Sequence, residues 1–354
     1  MISLDHLAAH LGVSSPYVKD ESSRFGLNAF KVLGGSYAMG RVLAQRLGQE
    51  LSELPYPVLT SSDTREALGT LTFVTATDGN HGRGVSWTAN RLGHKSVVYM
   101  PRGSARERLE NIRALGAEAC ITDLVYDDAV RLAAAHAQER GWILVQDTSW
   151  PGYEQIPGWI MEGYTTMGAE IMEQLGGVRP THVFLQAGVG SMAGAMAAFL
   201  ADCYGLERPL IAIVEPDGAD CLYRTAAADD GRLHAVKEPQ TIMAGLCCGE
   251  PCGIGWEILR QHADAFLAVP DEVAATGMRI LGNPLTGDRP IISGESGAAS
   301  RGTVTELLRR DCYADLRRDL RLGADARVLC ISTEGDTDRD NYRRVVWDGR
   351  YASA

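Results

Sequence analysis

One lysine, Lys31, lies in an apolar stretch that ends in the glycine pair Gly34-Gly35. Lysine is rarely buried without a partner, because an ammonium ion taken out of water either loses its proton or costs considerable free energy. A neutral lysine amine is a nucleophile that can form an imine with a carbonyl compound. The surroundings of Lys31 therefore predict a neutral amine with a covalent catalytic role.

A glycine-rich turn, Gly188-Val189-Gly190-Ser191, follows an apolar strand candidate and precedes a helical pattern. Such a turn directs backbone N–H groups and the positive end of a helix at one point, which suits a phosphate or a carboxylate. The turn fits the phosphate cup of pyridoxal 5'-phosphate (PLP). With Gly194 and the acid Glu215 it also approximates a dinucleotide motif, and a plain structural turn would have the same sequence.

Two polar segments favour the PLP alternative. Asn80 lies in a Thr-Asp-Gly-Asn-His-Gly segment between a strand and a helix, where it can reach a ring hydroxyl or a substrate carboxylate. Ser332 and Thr333 end a C-terminal strand, and either hydroxyl can form a hydrogen bond with a ring nitrogen. A dinucleotide enzyme would leave Lys31 unexplained, whereas a PLP enzyme needs such a lysine.

Two aspartates also follow strand candidates, Asp78 and Asp147. Each carboxylate can take a proton from a substrate carbon, and each can equally cap a turn. His81 is interpreted as a packing or hydrogen-bonding residue, because the glycines on either side explain the loop without it.

Composition narrows the class of partner. The net charge of -11 argues against nucleic acid and against an anionic membrane surface, and leaves small molecules as the expected partners. The eight cysteines contain no C-x-x-C pair, so neither a metal site nor a disulfide scaffold is expected. The sequence has no leader pattern and no apolar run of about 18 residues, which predicts a cytoplasmic protein.

Short β-branched runs alternate with amphipathic stretches, a pattern typical of an α/β fold with parallel sheets. A small domain is expected at 66–150, with 1–65 and 151–354 forming a large domain and loops near 150–158, 249–255 and 282–298. The strand candidates are 72–76, 96–99, 118–122, 143–146, 182–185, 210–214 and 327–331. The helix candidates are 37–51, 82–92, 105–115, 127–140, 164–175, 192–201 and 303–309.

The order of Lys31, the Gly-Asn-His-Gly string, the glycine turn and Ser332 resembles PLP enzymes of the tryptophan-synthase β (fold-type II) family. Longer strings make the chain similar to the branch of that family that eliminates ammonia from 2,3-diaminopropionate, and the resemblance extends over about residues 15 to 340. These strings are RFGLNAFK at 24–31, ATDGNHGRGV at 76–85, QDTSW at 146–150, IPGWIMEGY at 156–164, TIMAGL at 241–246 and SGESGA at 293–298.

The resemblance implies a fold of two open, twisted, mostly parallel sheets flanked by helices, with the active site in the cleft between the domains and PLP bound by the large domain. It implies that Lys31 carries PLP as a Schiff base, that Asn80 contacts the ring hydroxyl, and that Gly188, Val189, Gly190 and Ser191 hold the phosphate. Ser332 or Thr333 would face the pyridine nitrogen. A hydroxyl there leaves that nitrogen largely unprotonated. The family also suggests a homodimer.

The implied reaction is an α,β-elimination that converts D- and L-2,3-diaminopropionate to pyruvate and two ammonia. Related dehydratases carry a serine or threonine at the position of Asp78. By carry-over from the family, Asp78 would serve the D isomer and Asp147 the L isomer. A related elimination from serine, threonine or a modified diaminopropionate would keep the same motifs. A nicotinamide-dependent oxidoreductase and a non-catalytic regulatory protein are more distant alternatives.

Overall fold

The structure is a computed structural model, and it describes residues 1–352. By its contacts the chain divides into two units. The large unit contains Met1–Ala29 and the chain from Met167 onward, and the small unit is Phe30–Thr166. The domain division placed at residues 65 and 150 from sequence stays a prediction.

Each unit has its own sheet. In the large unit six strands lie in the order β1-β2-β10-β7-β8-β9, with only the β1–β2 pair antiparallel. In the small unit four parallel strands lie in the order β5-β4-β3-β6. The strands are β1 Ile2–Ser3, β2 Ser15–Asp20, β3 Thr72–Ala76, β4 Lys95–Met100, β5 Glu118–Ile121, β6 Ile143–Leu144, β7 His182–Gln186, β8 Leu210–Pro216, β9 Ala265–Val269 and β10 Arg327–Ser332.

Helices connect most of the parallel strands, as right-handed crossovers require. They are α1 Asp5–Leu11, α2 Val32–Leu47, α3 Tyr56–Leu59, α4 Ser62–Leu68, α5 Asn80–Arg91, α6 Arg106–Arg113, α7 Tyr126–Arg140, α8 Gln155–Leu175, α9 Ser191–Tyr204, α10 Cys221–Ala228, α11 Gly253–His262, α12 Asp271–Gly282, α13 Glu295–Arg309, α14 Ala314–Asp319 and α15 Arg339–Val346.

All seven predicted strands are confirmed within a few residues. The α/β class and the two mostly parallel sheets are confirmed as well. The edge strands β1 and β9 and the strand β2 were not predicted. β1 is only two residues long. β2 contains a proline and two charged residues, so its sequence does not show the run of apolar residues expected of a buried strand.

Several element boundaries predicted from sequence are wrong. The helix expected at 37–51 begins at Val32, so the glycine pair lies inside it rather than before it. The segments expected as loops at 150–158, 249–255 and 282–298 end earlier, because α8 begins at Gln155, α11 at Gly253 and α13 at Glu295. Proline is tolerated in the first turn of a helix, which explains how Pro157 can lie inside α8.

The parallel sheets bring distant residues to common edges. β3 and β6 are neighbours in the small unit, so the segments after their carboxyl ends, which carry Asp78 and Asp147, emerge at the same edge. In the large unit β7 and β10 are neighbours, so the glycine turn after β7 lies beside Ser332 and Thr333. The topology therefore assembles two clusters of candidate residues, one in each unit.

Candidate active site

Lys31 lies at the start of α2, where the close approach of α5 fixes the backbone. A methyl group at Gly84, in α5, would lie 2.8 Å from Cα and 2.9 Å from N of Val32. Only glycine permits this approach. The segment that carries Asn80 is therefore packed directly against the backbone at Lys31.

The glycine pair after Lys31 serves helix packing. A methyl group at Gly34 would lie 2.5 Å from Cε1 of Tyr164 and 2.7 Å from Cγ2 of Ile160. The ring of Tyr164 also contacts that of Phe30, with 4.8 Å between the centroids. The absence of a side chain at Gly34 thus lets α8 pack closely against the first turn of α2 and hold the residue before Lys31.

The amine of Lys31 forms an ion pair with the Asp147 carboxylate, and 18% of its side chain is exposed. Burial alone disfavours the ammonium form, but the attraction of Asp147 outweighs it and raises the pKa of Lys31 above its usual range. The expectation of a neutral lysine is therefore wrong for this arrangement. The apolar neighbours in the sequence did not reveal the carboxylate, which is 116 residues away along the chain.

Asp147 is buried in a network of donors. Tyr126 donates from its hydroxyl to Oδ1 of Asp147 at 3.2 Å, and Gln146 donates from Nε2 to the same oxygen at 3.2 Å. Gln146 is itself held by Ala76, at the end of β3, through hydrogen bonds to both backbone groups. Although burial opposes ionisation, the charges and donors around Asp147 hold its pKa below the usual range.

His81 is also buried against this network. Its Nε2 lies 2.8 Å from the Val145 carbonyl oxygen and its Nδ1 lies 3.8 Å from Oδ2 of Asp147. Because a carbonyl only accepts, Nε2 carries the proton in the neutral ring. Burial lowers the pKa of His81 and keeps the ring neutral. This hydrogen-bonding position fits the structural interpretation made from the sequence.

Asp78 and Asn80 lie on the tight turn that leads from β3 into α5. Gly79 has φ +151°, a conformation that side chains rarely adopt, and Thr77 accepts hydrogen bonds from the N–H groups of Gly79 and Gly82. The turn leaves 18% of the Asp78 side chain exposed, whereas Asn80 is buried. After the larger effect of Asp147, the Asp78 carboxylate also helps to raise the pKa of Lys31, so the charges of both acids act on that amine.

The glycine turn in the large unit has the geometry of an anion cradle. Gly190 has φ +99° and leads directly into α9. Within residues 1–352, the backbone N–H groups of Gly188, Val189 and Gly190 donate no hydrogen bond. A methyl group at Gly188 would lie 3.1 Å from Cα of Leu246. The turn is thus packed against Leu246, and its three N–H groups lie just before the N-terminus of α9.

Glu215 does not have the role that the dinucleotide alternative required. Its carboxylate accepts hydrogen bonds from the N–H groups of Leu222 and Tyr223 at 2.9 and 2.6 Å, which caps α10. Burial raises the pKa of Glu215 to about 8. A fully buried helix cap cannot bind the ribose of a dinucleotide, so this alternative loses the acid on which it depended.

Ser332 and Thr333 are both buried beside the turn, and each has a different partner. Ser332 donates from its hydroxyl to Oγ of Ser293 at 2.8 Å. Thr333 accepts from Nε2 of Gln186 at 3.0 Å, and the same nitrogen donates to the Ile331 carbonyl oxygen at 2.8 Å. Both candidates for a ring-nitrogen partner therefore lie in the same cluster as the glycine turn.

The predicted residues thus form two groups. The small unit gathers Lys31, Asp78, Asn80 and Asp147, and the large unit gathers the glycine turn with Ser332 and Thr333. The sequence did not indicate roles for five further residues that contact the predicted ones: Arg108 and Tyr126 on helices, Ser293 just before α13, Gln146 after β6 and Gln186 at the end of β7. Gln146 could have been predicted from sequence, since it is the residue directly before Asp147.

The residues fit PLP. The Lys31 amine can form an imine with the aldehyde of the cofactor. The three backbone N–H groups at the N-terminus of α9 suit its phosphate, and the buried hydroxyls of Ser332 and Thr333 suit its pyridine nitrogen. No group of three or more His, Cys, Asp or Glu side chains within residues 1–352 could hold a metal ion. In the same range, none of the helices is long and apolar enough to cross a membrane.

Comparison with known families identifies the class. A family model described as pyridoxal-phosphate dependent enzyme matches residues 1–334. The chain therefore belongs to the PLP-dependent enzymes, its cofactor is PLP, and its fold is fold-type II. The nicotinamide alternative is wrong.

Within that class, the chain belongs to the diaminopropionate ammonia-lyase family, whose members are carbon–nitrogen lyases. The enzyme of Salmonella typhimurium is 52% identical over 99% of this chain and 88% of its own length. The Escherichia coli enzyme in complex with D-serine superimposes with a TM-score of 0.94 at 50% identity, over 100% of this chain and 88% of that one. The same enzyme with an aminoacrylate-PLP azomethine reaction intermediate has a TM-score of 0.91, with the same identity and coverage.

Proposed function

We propose that this chain catalyses the α,β-elimination of both isomers of 2,3-diaminopropionate, giving pyruvate and two ammonia. The observation that carries the proposal is that Asp147 forms an ion pair with the Lys31 amine while the charge of a second carboxylate, Asp78, also acts on that amine. When the amino and carboxyl groups are held in one orientation, the α-hydrogens of the D and L isomers point to opposite sides, so a base on each side allows both isomers to react. The D-serine and aminoacrylate complexes of the E. coli relative support the substrate class and the elimination.

When bound, PLP acidifies the α-hydrogen of an amino acid by accepting electron density from Cα. Asp147 would accept the α-proton of the L isomer at its carboxylate, and Asp78 that of the D isomer. The two sites differ in their surroundings. Asp147 is buried and held by Tyr126 and Gln146, whereas Asp78 is partly exposed on the turn before α5. The β-ammonium group then leaves as ammonia, and water replaces the α-amino group to complete pyruvate and the second ammonia.

Lys31 is proposed to hold the cofactor through its amine, which the substrate amine replaces. For this Lys31 has to lose the proton that Asp147 favours, and Asp147 has to be ionised again before it can accept a proton from the substrate. Asn80 is proposed to contact the ring hydroxyl. Residues Gly188 to Ser191 are proposed to hold the phosphate, and Ser332 or Thr333 the ring nitrogen.

The test is pyruvate release from D- and L-diaminopropionate, L-serine and L-threonine by the PLP-loaded protein. Turnover of both diaminopropionate isomers, with little from the hydroxy amino acids, is expected. Asp78→Asn should then lose the D reaction and keep the L reaction, and Asp147→Asn should show the reverse. Faster turnover of serine or threonine than of either diaminopropionate would contradict this proposal and indicate a dehydratase instead.

A homodimer is proposed on the family resemblance, and a cytoplasmic location is proposed from the state of the cysteines. None of the eight cysteines, all of which lie within residues 1–352, forms a disulfide, as a reducing compartment favours. Sedimentation equilibrium of the holoenzyme should give twice the mass of the chain. A single-chain mass would contradict the dimer without affecting the reaction.

A further inference from the structure

A buried arginine lies beside the acid that is proposed for the D isomer. Arg108, on α6, is 4% exposed, and its Nη1 lies 3.5 Å from Oδ2 of Asp78. Two other arginines of the same helix, Arg106 and Arg113, are exposed. Of these three arginines of α6, only Arg108, which faces Asp78, is therefore buried.

The stem of Arg108 is fitted to the turn that carries Asp78. A methyl group at Gly79 would lie 3.1 Å from Cδ and 3.4 Å from Cβ and Cγ of Arg108. Gly79 has φ +151°, so both its conformation and the space beside it exclude other residues. The aliphatic part of Arg108 thus lies along the turn, which brings the guanidinium to the carboxylate instead of to solvent.

We infer that Arg108 is a positioning residue that sets the rate of the D-isomer reaction by keeping Asp78 ionised and oriented. This inference rests on the proposed function. A carboxylate accepts a proton only when ionised, and a cation within about 4 to 6 Å favours that form. The planar guanidinium also restricts the orientation of the carboxylate, which an ammonium would do less well.

The L-isomer reaction provides a control within the same molecule. Asp147 is held by Lys31, Tyr126 and Gln146. These contacts do not involve α6. Replacing Arg108 should therefore change the ratio of the D to the L reaction, whereas general damage to the fold or to PLP binding would lower both.

The experiment compares kcat and KM for both isomers, across pH, in wild type, Arg108→Gln, Arg108→Lys and the control Arg113→Gln. Arg113 is an exposed residue of α6 whose guanidinium pairs with Glu110. We expect Arg108→Gln to lower kcat for the D isomer by about 10- to 100-fold, with the L isomer changed by less than about 3-fold. The acid limb of the D profile should move to higher pH by about one unit, because the neighbouring cation is lost.

Arg108→Lys keeps the charge, so we expect a smaller loss and an acid limb that stays close to that of the wild type. In Arg108→Ala, added guanidinium ion should restore part of the D reaction without affecting the L reaction. An equal loss of both isomers, or a D profile that does not move, would overturn the role of Arg108 alone. Wild-type protein that releases no pyruvate from either isomer would overturn the proposed function itself, and the role of Arg108 with it.

Discussion

The backbone of Val32 occupies the space that a side chain at Gly84 would fill, with 2.8 Å between Cα of Val32 and the position of a methyl group. This contact joins α5, which begins with Asn80, to the first residue of α2, which follows Lys31. Two residues proposed to bind the cofactor are therefore held together by an approach that only glycine allows.

Gly84→Ala should push α5 away from Lys31. We expect a loss of about 2 kcal/mol of stability, because backbone atoms cannot yield as a flexible side chain can, together with weaker retention of PLP. Gly158→Ala is a matched control in α8, since nothing lies within 4 Å of the added methyl group, and it should be neutral or slightly stabilising. Thermal midpoints and the visible absorbance of bound PLP measure both effects. Similar midpoints for the two variants would contradict the packing argument.

Tyr126→Phe removes one of the two donors described for Oδ1 of Asp147 and leaves Gln146 in place. A hydrogen bond to a charged group contributes about 1.5 to 3 kcal/mol, and the remaining donor reduces the effect. We expect kcat for the L isomer to fall about 10-fold, with the D reaction nearly unchanged. The acid limb of the L profile should move to higher pH, because this donor helps to hold the pKa of Asp147 low. A larger loss for the D isomer would contradict the assignment of the two acids.

The candidate residues of the site could be predicted from sequence where a motif lies directly after the end of a strand. Asp78 and Asp147 each follow a short strand, and the parallel sheet brings such ends together. The partners that set their chemistry could not be found in this way. Arg108 and Tyr126 lie on helices whose sequences resemble ordinary amphipathic helices. Only the packed structure shows which arginine of α6 is buried.

The start of α2 was also predicted wrongly from local helix propensity. A glycine pair lowers helix propensity, so the sequence placed the helix after it. In the structure Gly34 lies within α2 because Tyr164 and Ile160 fill the space beside it. The favourable packing of two helices outweighs the propensity cost, and this packing partner is about 130 residues away in the chain.

His81 predicts a pH dependence of stability. Burial lowers its pKa, so the folded protein keeps the ring neutral at a pH where the unfolded chain, with a pKa of about 6.5, binds a proton. The unfolded state then binds more protons, so stability falls as the pH drops below about 6.5. In His81→Gln this contribution is absent, and the stability difference between wild type and variant should narrow between about pH 7 and 5. Thermal midpoints of the two holoenzymes measure it. His94 and His182 are common to both proteins, and a difference that stays constant with pH would contradict the prediction.

Thr333 is expected to be the partner of the ring nitrogen, because the direction of its hydrogen bond is determined. The Ile331 carbonyl only accepts, so the amide nitrogen of Gln186 faces it, and the same nitrogen donates to Oγ1 of Thr333. The hydroxyl hydrogen of Thr333 is then available to donate to an unprotonated ring nitrogen. The hydroxyl of Ser332 is directed at Ser293.

Thr333→Val should therefore weaken PLP binding about 5-fold, as expected for the loss of one hydrogen bond between neutral groups. Thr333→Ser keeps the hydroxyl and should bind nearly as the wild type does. Ser332→Ala is the matched control and should change PLP affinity less than Thr333→Val. Titration of the PLP-free protein, followed by visible absorbance, gives the dissociation constants. If Ser332→Ala weakens binding more, the ring nitrogen belongs to Ser332, and Gln186 has only a structural role at the end of β7.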